Sequence, residues 1–396
     1  MIRSAFAAAF LATAAPAFAD NHTIAAGEGA QERLQEALIL AEPGDTIMLE
    51  AGRFALTDGL SLDVDGVTLK GAGMDATVLD FTDQQGSGEG LLVTSDDVTL
   101  RDFGIENAKG DGIKSKGADN IIYHAVRVEW TGGPKASNGA YGIYPVEASN
   151  ILVQDSFVRG ASDAGIYVGQ SENIIVRRNR VVENVAGIEI ENSNYAEVTE
   201  NLATKNTGGI LVFDLPGLPK VGGGSVLVAR NAVIDNNTDN FAPEGNIVAS
   251  VPAGTGVMVM ANKGVQVLDN ALINNGTSHV MMIAYSQDYD DDRYQPRPVD
   301  VVVRGNVYGA GGGAPDFPGG EMLLAAMGAK ALPPVLSDGL HENLSVEDAV
   351  PVLSLGLTKV GQPLAEAQPS LISPTSASKA GKLARVDLDA MEARLQ

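Results

Sequence analysis

Two glutamates separated by one residue are the side chains best spaced for acid–base chemistry. Glu189 and Glu191 alternate with Ile188 and Ile190, and alternate side chains of a strand share one face, about 6.6 Å apart. Inverting glycosidases hold their two carboxyl groups about 6.5–9.5 Å apart. Burial near an aromatic ring would raise the pKa of Glu189 and make it a general acid. The same spacing fits two solvated glutamates on an exposed strand, so both interpretations stay open.

Aromatic and polar side chains recur at matching positions around this pair. Asp214, in the next repeat, is the third candidate catalytic carboxylate. Aromatic faces beside amides and acids are what a sugar ring needs from a protein surface. The candidate substrate-binding residues are Lys114, Tyr144, Tyr167, Gln170, Asn192 and Phe213. The pattern predicts binding of a polysaccharide, with hydrolase, lyase or epimerase chemistry if the site is catalytic.

Four aspartates lie close together in a later, irregular stretch. Oxygen-rich loops bind Ca²⁺, but the spacing here differs from that of a helix–loop–helix calcium site and lacks its central glycine. The four residues are Asp288, Asp290, Asp291 and Asp292. The sequence leaves two interpretations open, a Ca²⁺ site and a solvated charged loop, and Ca²⁺ is the one cofactor it suggests.

A short repeated segment indicates how these side chains are positioned. Gly-Ile steps at 142–143, 165–166, 187–188 and 209–210 recur 22 or 23 residues apart, and a further strand-like run follows each of the first three steps. A strand of about five residues cannot bury its apolar face alone, but stacked copies about 4.8 Å apart can. A fixed period of this length therefore predicts a solenoid of stacked strands with about 22 residues per coil.

Stacking would align equivalent residues of successive coils into columns. The predicted inward column consists of Ile143, Ile166, Ile188, Ile210 and Val257. A predicted column of asparagines at one turn consists of Asn179, Asn201, Asn231, Asn270 and Asn306. Stacked asparagines can bond one another's amides along the axis, so we interpret this column as structural.

The repeat unit at 165–179 resembles the right-handed parallel β-helix superfamily with the pectin lyase-like fold. The strings at 186–193 and 208–216 resemble a bacterial family of exported parallel β-helix repeat proteins. The resemblance covers roughly residues 45–310 and implies an all-β, single-stranded, right-handed parallel β-helix. The active-site strings of polygalacturonases and alginate epimerases are absent, so the resemblance implies a fold and assigns no catalytic residue.

The first nineteen residues have the character of a secretory signal. Arg3 precedes an apolar run that ends in Ala17-Phe18-Ala19, a small-residue pattern typical of a cleavage site. The sequence predicts a signal peptide at 1–19 and a periplasmic or secreted protein. No later run approaches the roughly 18 apolar residues of a membrane-spanning helix, so no membrane span is predicted.

Composition narrows the possible partners. Asp and Glu total 50 against 27 Lys and Arg, which gives a net charge of −23. Such a charge disfavours nucleic acid and anionic lipid, and more weakly a polyanionic polysaccharide, unless a local basic patch or bridging cations intervene. The absence of cysteine excludes disulfides, thiol catalysis and zinc–thiolate sites.

Three regions are predicted after the signal peptide. Residues 20–45 form an N-terminal segment whose amphipathic helix at 31–41 covers the open end of the strand stack. Residues 46–310 form the β-helix, and residues 311–396 form an irregular C-terminal cap and a flexible tail, with a short last helix at 387–395.

Four insertions interrupt the period, at 130–140, 215–224, 239–255 and 285–298. Insertions in repeat proteins emerge as loops, often on the binding side. The loops at 215–224 and 239–255 are proline-containing and partly apolar, which suits docking. The alternative function is therefore a non-catalytic scaffold or accessory protein that docks another exported protein.

Overall fold

Short parallel strands dominate the structure, a computed structural model that describes residues 20–86, 88–373 and 381–396. The predicted signal peptide at 1–19 lies outside the described residues. Within the described parts, the strands form one sheet of twenty strands and one of twelve. Their pairing is parallel except where Val352–Ser354 meets Ser370–Ile372. The predicted all-β coil of stacked parallel strands is confirmed.

Each regular coil contributes three strands in chain order. One coil consists of Ala164–Gly169, Glu172–Arg177 and Arg180–Val182, and the next coil begins at Ala186. The first strand belongs to the twelve-stranded sheet, here called the front sheet. The other two belong to two faces of the twenty-stranded sheet. These faces form one sheet because two long strands near its N-terminal end pair with strands of both.

The strand bounds follow this three-sided arrangement. The front sheet contains Leu60–Leu62, Leu91–Val93, Ile113–Lys116, Tyr141–Val146, Ala164–Gly169, Ala186–Glu191, Gly208–Phe213, Thr255–Met260, Ser278–Ile283, Val335–Ser337, Val352–Ser354 and Ser370–Ile372. The first face of the larger sheet contains Asn21–Ile24, Thr46–Leu49, Thr68–Lys70, Thr99–Glu106, Ile121–Glu129, Ser149–Gln154, Glu172–Arg177, Asn194–Thr199, Gly224–Ala229, Lys263–Leu268, Val302–Arg304 and Ser345–Val346. Its second face adds Gly52–Ala55, Thr77–Asp80, Phe157–Arg159, Arg180–Val182, Leu202–Thr204, Ala232–Ile234, Ala271–Ile273 and Val307–Tyr308.

The predicted inward column is confirmed residue by residue. Ile143 pairs in register with Ile166, then Ile188, Ile210 and Val257 follow in adjacent strands. All five side chains are fully buried in one core cluster. Burying each such side chain contributes about 1.5–3 kcal/mol, and the repetition ties every coil to the next.

Asparagine ladders close two corners of the coil. In the predicted column, each amide from Asn179 to Asn270 donates to the Oδ1 of the next asparagine over 2.9–3.1 Å. The last member, Asn306, donates to the carboxylate of Asp348 at 3.1 Å. A second ladder, not predicted from the sequence, consists of Asn184, Asn206, Asn236 and Asn275. The predicted structural role of the asparagines is confirmed.

Helices are short and lie at the ends or in insertions. The helix Ala30–Leu40 buries Leu34 and Leu38 against the first coils, as predicted for a cap. The remaining helical segments are Ile247–Ser250, Gly320–Ala326, Leu364–Glu366, Asp389–Glu392 and Ala393–Leu395. No helix in the described ranges has the length and apolar character needed to cross a bilayer.

Strand stacking continues beyond residue 310, where the sequence pattern predicts that it ends. Val335–Ser337 and Val352–Ser354 extend the front sheet, and Ser345–Val346 extends the larger sheet. Because long irregular segments separate these strands, their spacing departs from 22 residues and hides the repeat. The β-helix therefore includes part of the predicted C-terminal cap.

The last residues pack back along the larger sheet. Val386, Leu388 and Met391 form a cluster with apolar side chains on its outer face. Arg177 forms an ion pair of 2.9 Å with Glu392. Residues 381–396 of the predicted flexible tail are thus held against the β-helix, and the expected last helix is present as two short turns.

Replacement of one ladder asparagine should destabilise the whole coil stack. In Asn201→Ala, Asn179 loses its acceptor, and the carbonyl of Val176 and Oδ1 of Asn231 lose a donor. Leaving these buried groups unpaired should lower the free energy of unfolding by on the order of 3–5 kcal/mol in urea titrations. The exposed Asn21→Ala is the control, with a change within about 0.5 kcal/mol. Equal stability of both variants would contradict the role of the ladder.

Candidate functional site

The outer face of the front sheet brings most of the predicted site residues together. Tyr144 lies beside Lys114, and Glu189 lies beside Tyr167 in the next coil. Two residues further along the same strand, Glu191 lies beside Phe213. Since stacked strands are about 4.8 Å apart, residues far apart in sequence form one continuous patch.

Both glutamates of this patch are buried. Glu189 is 1% exposed and Glu191 is 7% exposed, so the interpretation of two solvated glutamates is wrong. Burial raises the pKa of Glu189 well above its usual value, and the neighbouring Asp163 and Glu191 raise it further. Burial also raises the pKa of Glu191 to about 7, although a hydrogen bond from Tyr167 opposes the shift. Both groups therefore retain protons at pH values where ordinary carboxyl groups have lost them.

A third buried carboxyl group, which sequence reasoning missed, completes the cluster. Asp163 directly precedes the strand that carries Tyr167, is 5% exposed, and has its pKa raised to about 7 by burial. Its Oδ2 accepts a hydrogen bond of 3.3 Å from Asn246 in the 239–255 insertion. The sequence signal for Asp163 was an acidic residue at a position where the preceding and following coils have Ala140 and Val185. We call Asp163, Glu189 and Glu191 the acid cluster.

Several oxygens at this site have no hydrogen-bond partner. Oε1 of Glu189, Oδ1 of Asp163 and Oε1 of Gln170 are buried and unpaired. An unpaired buried polar group costs about 1–3 kcal/mol, and a catalytic role or a bound molecule is among the explanations for such a group. Such oxygens can accept hydrogen bonds that the hydroxyl groups of a bound molecule donate.

Three tyrosines cover the acid cluster on one side. The ring centroids of Tyr141, Tyr144 and Tyr167 lie 4.5, 4.7 and 4.8 Å apart. Tyr144 is half-buried and presents part of its ring, with the Nζ of Lys114 4.9 Å from its centroid. Burial raises the pKa of the Tyr144 hydroxyl to about 12, so the ring stays neutral and acts as an aromatic wall.

The rim of the site carries charges of both signs. Lys114 lies 3.3 Å from Glu89 and 3.9 Å from Asp111. Burial raises the pKa of Asp111 to about 6, against the opposing effect of Lys114. The rim groups Lys114 and Gln170 are half-buried, which leaves them within reach of a bound molecule.

Asp214 and Asn192 hold one insertion against the front sheet, and their predicted catalytic and substrate-binding roles stay predictions. The Asp214 carboxylate accepts hydrogen bonds from the Gly223 amide at 2.6 Å and from Asn262 at 2.8 Å. Asn192 donates to the carbonyls of Leu215 and Lys220, both at 2.9 Å. These bonds fasten the 215–224 insertion to the front sheet. The structure therefore makes both residues anchors of that insertion, with their polar atoms already engaged.

The aspartate-rich insertion lies apart from the acid cluster. Asp291 is held by Arg293 at 2.8 Å, and this hydrogen bond lowers the pKa of the carboxyl group to about 2. Across the described ranges, no group of three or more His, Asp or Glu side chains is arranged to hold a metal ion. The Ca²⁺ site predicted at Asp288, Asp290, Asp291 and Asp292 gains no support from this geometry and stays a prediction.

The 239–255 insertion packs over the front sheet. Val248 and Val251 belong to one apolar cluster with Tyr167, Leu211 and Phe213. This insertion and the tyrosines together explain why outward-facing glutamates are buried. The acid cluster is therefore largely shielded from solvent, with the half-buried side chains of Lys114 and Gln170 near it.

The buried carboxyl groups should make stability fall as pH rises. Unfolded Glu191 ionises near 4.5, but the folded protein keeps the proton until about pH 7. Between these pH values unfolding releases a proton. The contribution of protonated Glu191 to the free energy of unfolding is therefore complete below about pH 4.5 and lost above about pH 7. Stability falls by about 3 kcal/mol across this range. Glu191→Gln should remove this part of the slope in urea titrations across that range. Exposed Glu36→Gln should keep the wild-type slope; identical slopes for all three proteins would refute the burial argument.

Known proteins share this architecture. Residues 65–217 match the family model described as a right handed beta helix region, and no curated protein matches the sequence. The A-module of a mannuronan C-5 epimerase of Azotobacter vinelandii is 17% identical, with a TM-score of 0.55 over 83% of this chain and 95% of that one. A polygalacturonase from Erwinia carotovora ssp. carotovora is 13% identical, with a TM-score of 0.51 over 85% and 96%. At these identities the similarity concerns the fold alone, and together with the observed coils it shows that the chain folds as a right-handed parallel β-helix.

Proposed function

We propose that this protein is an exported polysaccharide-processing enzyme whose acid cluster protonates a glycosidic oxygen. The observation that carries the proposal is the grouping of Asp163, Glu189 and Glu191 beside three tyrosines, with raised pKa values and unpaired oxygens. Titratable groups perturbed by burial and gathered in a recess are typical of active sites. The fold relatives named as a mannuronan epimerase and a polygalacturonase support a carbohydrate substrate.

Glu191 is the proposed general acid. Its pKa of about 7 lies near neutral pH, where a group can both hold and give up a proton. Glu191 would donate its proton to the leaving glycosidic oxygen as the bond to the sugar carbon breaks.

Asp163 and Glu189 supply the complementary functions. Asp163 also has a pKa of about 7, so its ionised form can accept a proton from the attacking water. The hydroxyl of that water joins the sugar carbon, and both product ends are then complete. Glu189 is fully buried and keeps its proton. It acts as a positioning residue, and because it stays neutral the acid cluster contains only one ionised group at a time.

The rim indicates the class of polysaccharide. Tyr144 offers an aromatic face to a sugar ring, while Gln170 and Lys114 offer polar groups for its hydroxyls. Lys114 is already neutralised by Glu89 and Asp111, and the whole chain carries a net charge of −23. A neutral polysaccharide therefore fits better than a polyuronate.

The scaffold alternative has less support. It requires the 215–224 and 239–255 insertions to present apolar side chains to a partner. Val248 and Val251 are instead buried against the protein's own front sheet, and the 215–224 insertion is held down by Asn192. These contacts use the surfaces that docking would need.

Turnover of a panel of neutral and uronate-containing polysaccharides tests the proposal. Wild type should release new reducing ends from a neutral member. Glu191→Gln should lower kcat by about 10²–10⁴-fold, the usual contribution of a general acid, and leave KM nearly unchanged. Tyr144→Ala should instead raise KM, because it removes a stacking surface.

Exposed Glu36→Gln is the matched control and should behave as wild type. Binding without turnover by wild type would reject the catalytic role and leave a binding protein. Failure to bind or cleave any member of the panel would overturn the proposed function.

A further inference from the structure

The front sheet changes character directly beyond the acid cluster. In the column that contains Glu189, the next positions in register are Leu211, Met258, Met281 and Leu336. All four side chains are buried in one apolar cluster outside the main core. The outer face of one sheet thus has an acidic half and an apolar half.

A cavity of about 360 Å³ lies over the apolar half. The front sheet forms its floor, and four segments form its walls, at 247–252, 284–287, 317–318 and 355–364. The floor side chains are Leu211, Phe213, Met258, Met260, Met281 and Leu336. Its volume falls within the range of about 300–1,000 Å³ that is typical of small-molecule sites.

Two polar side chains in the cavity wall are already paired. The Asp338 carboxylate accepts hydrogen bonds from the backbone amides of Ala284 at 2.6 Å and Leu340 at 2.7 Å. The Gln362 side chain accepts one from Thr358 at 2.8 Å. No lining residue contributes to the unpaired buried atoms found among the described residues. A cavity whose buried polar atoms are already paired offers little to water and favours an apolar occupant.

Charge selects among apolar ligands. Among the described residues, no lysine or arginine lines the cavity, so no lining side chain would neutralise the carboxylate of a fatty acid. Flexible, polarisable methionine side chains adapt to chains of varying shape.

We propose that this cavity binds a neutral hydrocarbon chain, acyl or prenyl, as a site separate from the acid cluster. Phe213 and Leu211 separate the two sites, since each neighbours a glutamate in register and also lines the cavity. The proposal does not depend on polysaccharide turnover.

Displacement of the neutral dye N-phenylnaphthylamine by alkyl maltosides below their micelle concentrations measures the site directly. Affinity should rise about fourfold for each added methylene group until the cavity is full, and then level off. Maltose without a chain should not compete. Comparison of dodecanol with farnesol separates a preference for linear acyl chains from one for branched prenyl chains.

Two methionine variants locate the binding. Met260→Trp fills the cavity from its half-buried edge and should weaken binding at least tenfold. Met322→Trp, on the helix Gly320–Ala326 where Met322 is 73% exposed, should bind as wild type. Ile283→Gln, also at the half-buried edge, gives an independent loss of apolar surface if Met260→Trp unfolds.

Absence of any chain-length dependence would overturn the proposal. So would wild-type affinity in a folded Met260→Trp or Ile283→Gln protein. Dye binding is measured without polysaccharide, so the proposed catalytic function can fail while this site stands, and the reverse also holds.

Discussion

Registry between successive coils is the constraint on which the structure depends. Parallel strands pair so that Ile143, Ile166 and Ile188 lie in one inward column, and the asparagine ladders repeat this registry at two corners. Because side chains alternate between faces of a strand, a slip of one residue would exchange the two sides. Glu189 would then enter the core and Ile188 would leave it. The position of the acid cluster is therefore a consequence of core packing.

The acid cluster lowers the stability of the fold that positions it. Equivalent positions in later coils carry Leu211 and Met258, so the same environment accommodates apolar side chains at no desolvation cost. Carboxyl groups there must keep their protons or remain poorly solvated. Proteins commonly break the rules of local packing at functional sites and compensate for it elsewhere. Here the long isoleucine and asparagine columns supply the compensation.

The sequence was sufficient for the parts of the structure that repeat. Spacing of 22 residues identified the coil, and alternation within strands assigned Ile188 inward and Glu189 outward. It could not reveal that Glu189 is buried, because burial depends on the 239–255 insertion folding back across the sheet. Periodicity says nothing about where an insertion packs. Asp163 was missed for a related reason, since it lies just before a strand, where the repeat pattern carries little information.

The direction of the asparagine ladder has an electrostatic consequence. Every amide from Asn179 to Asn306 donates toward the C-terminal coils, so the side-chain dipoles add head to tail, as peptide dipoles do in an α-helix. Bonds in such a row polarise one another and strengthen together. The donor end would accumulate partial positive charge, and it meets the Asp348 carboxylate. This corner of the solenoid therefore carries a macrodipole made of aligned side-chain amides, and an anion caps its positive end.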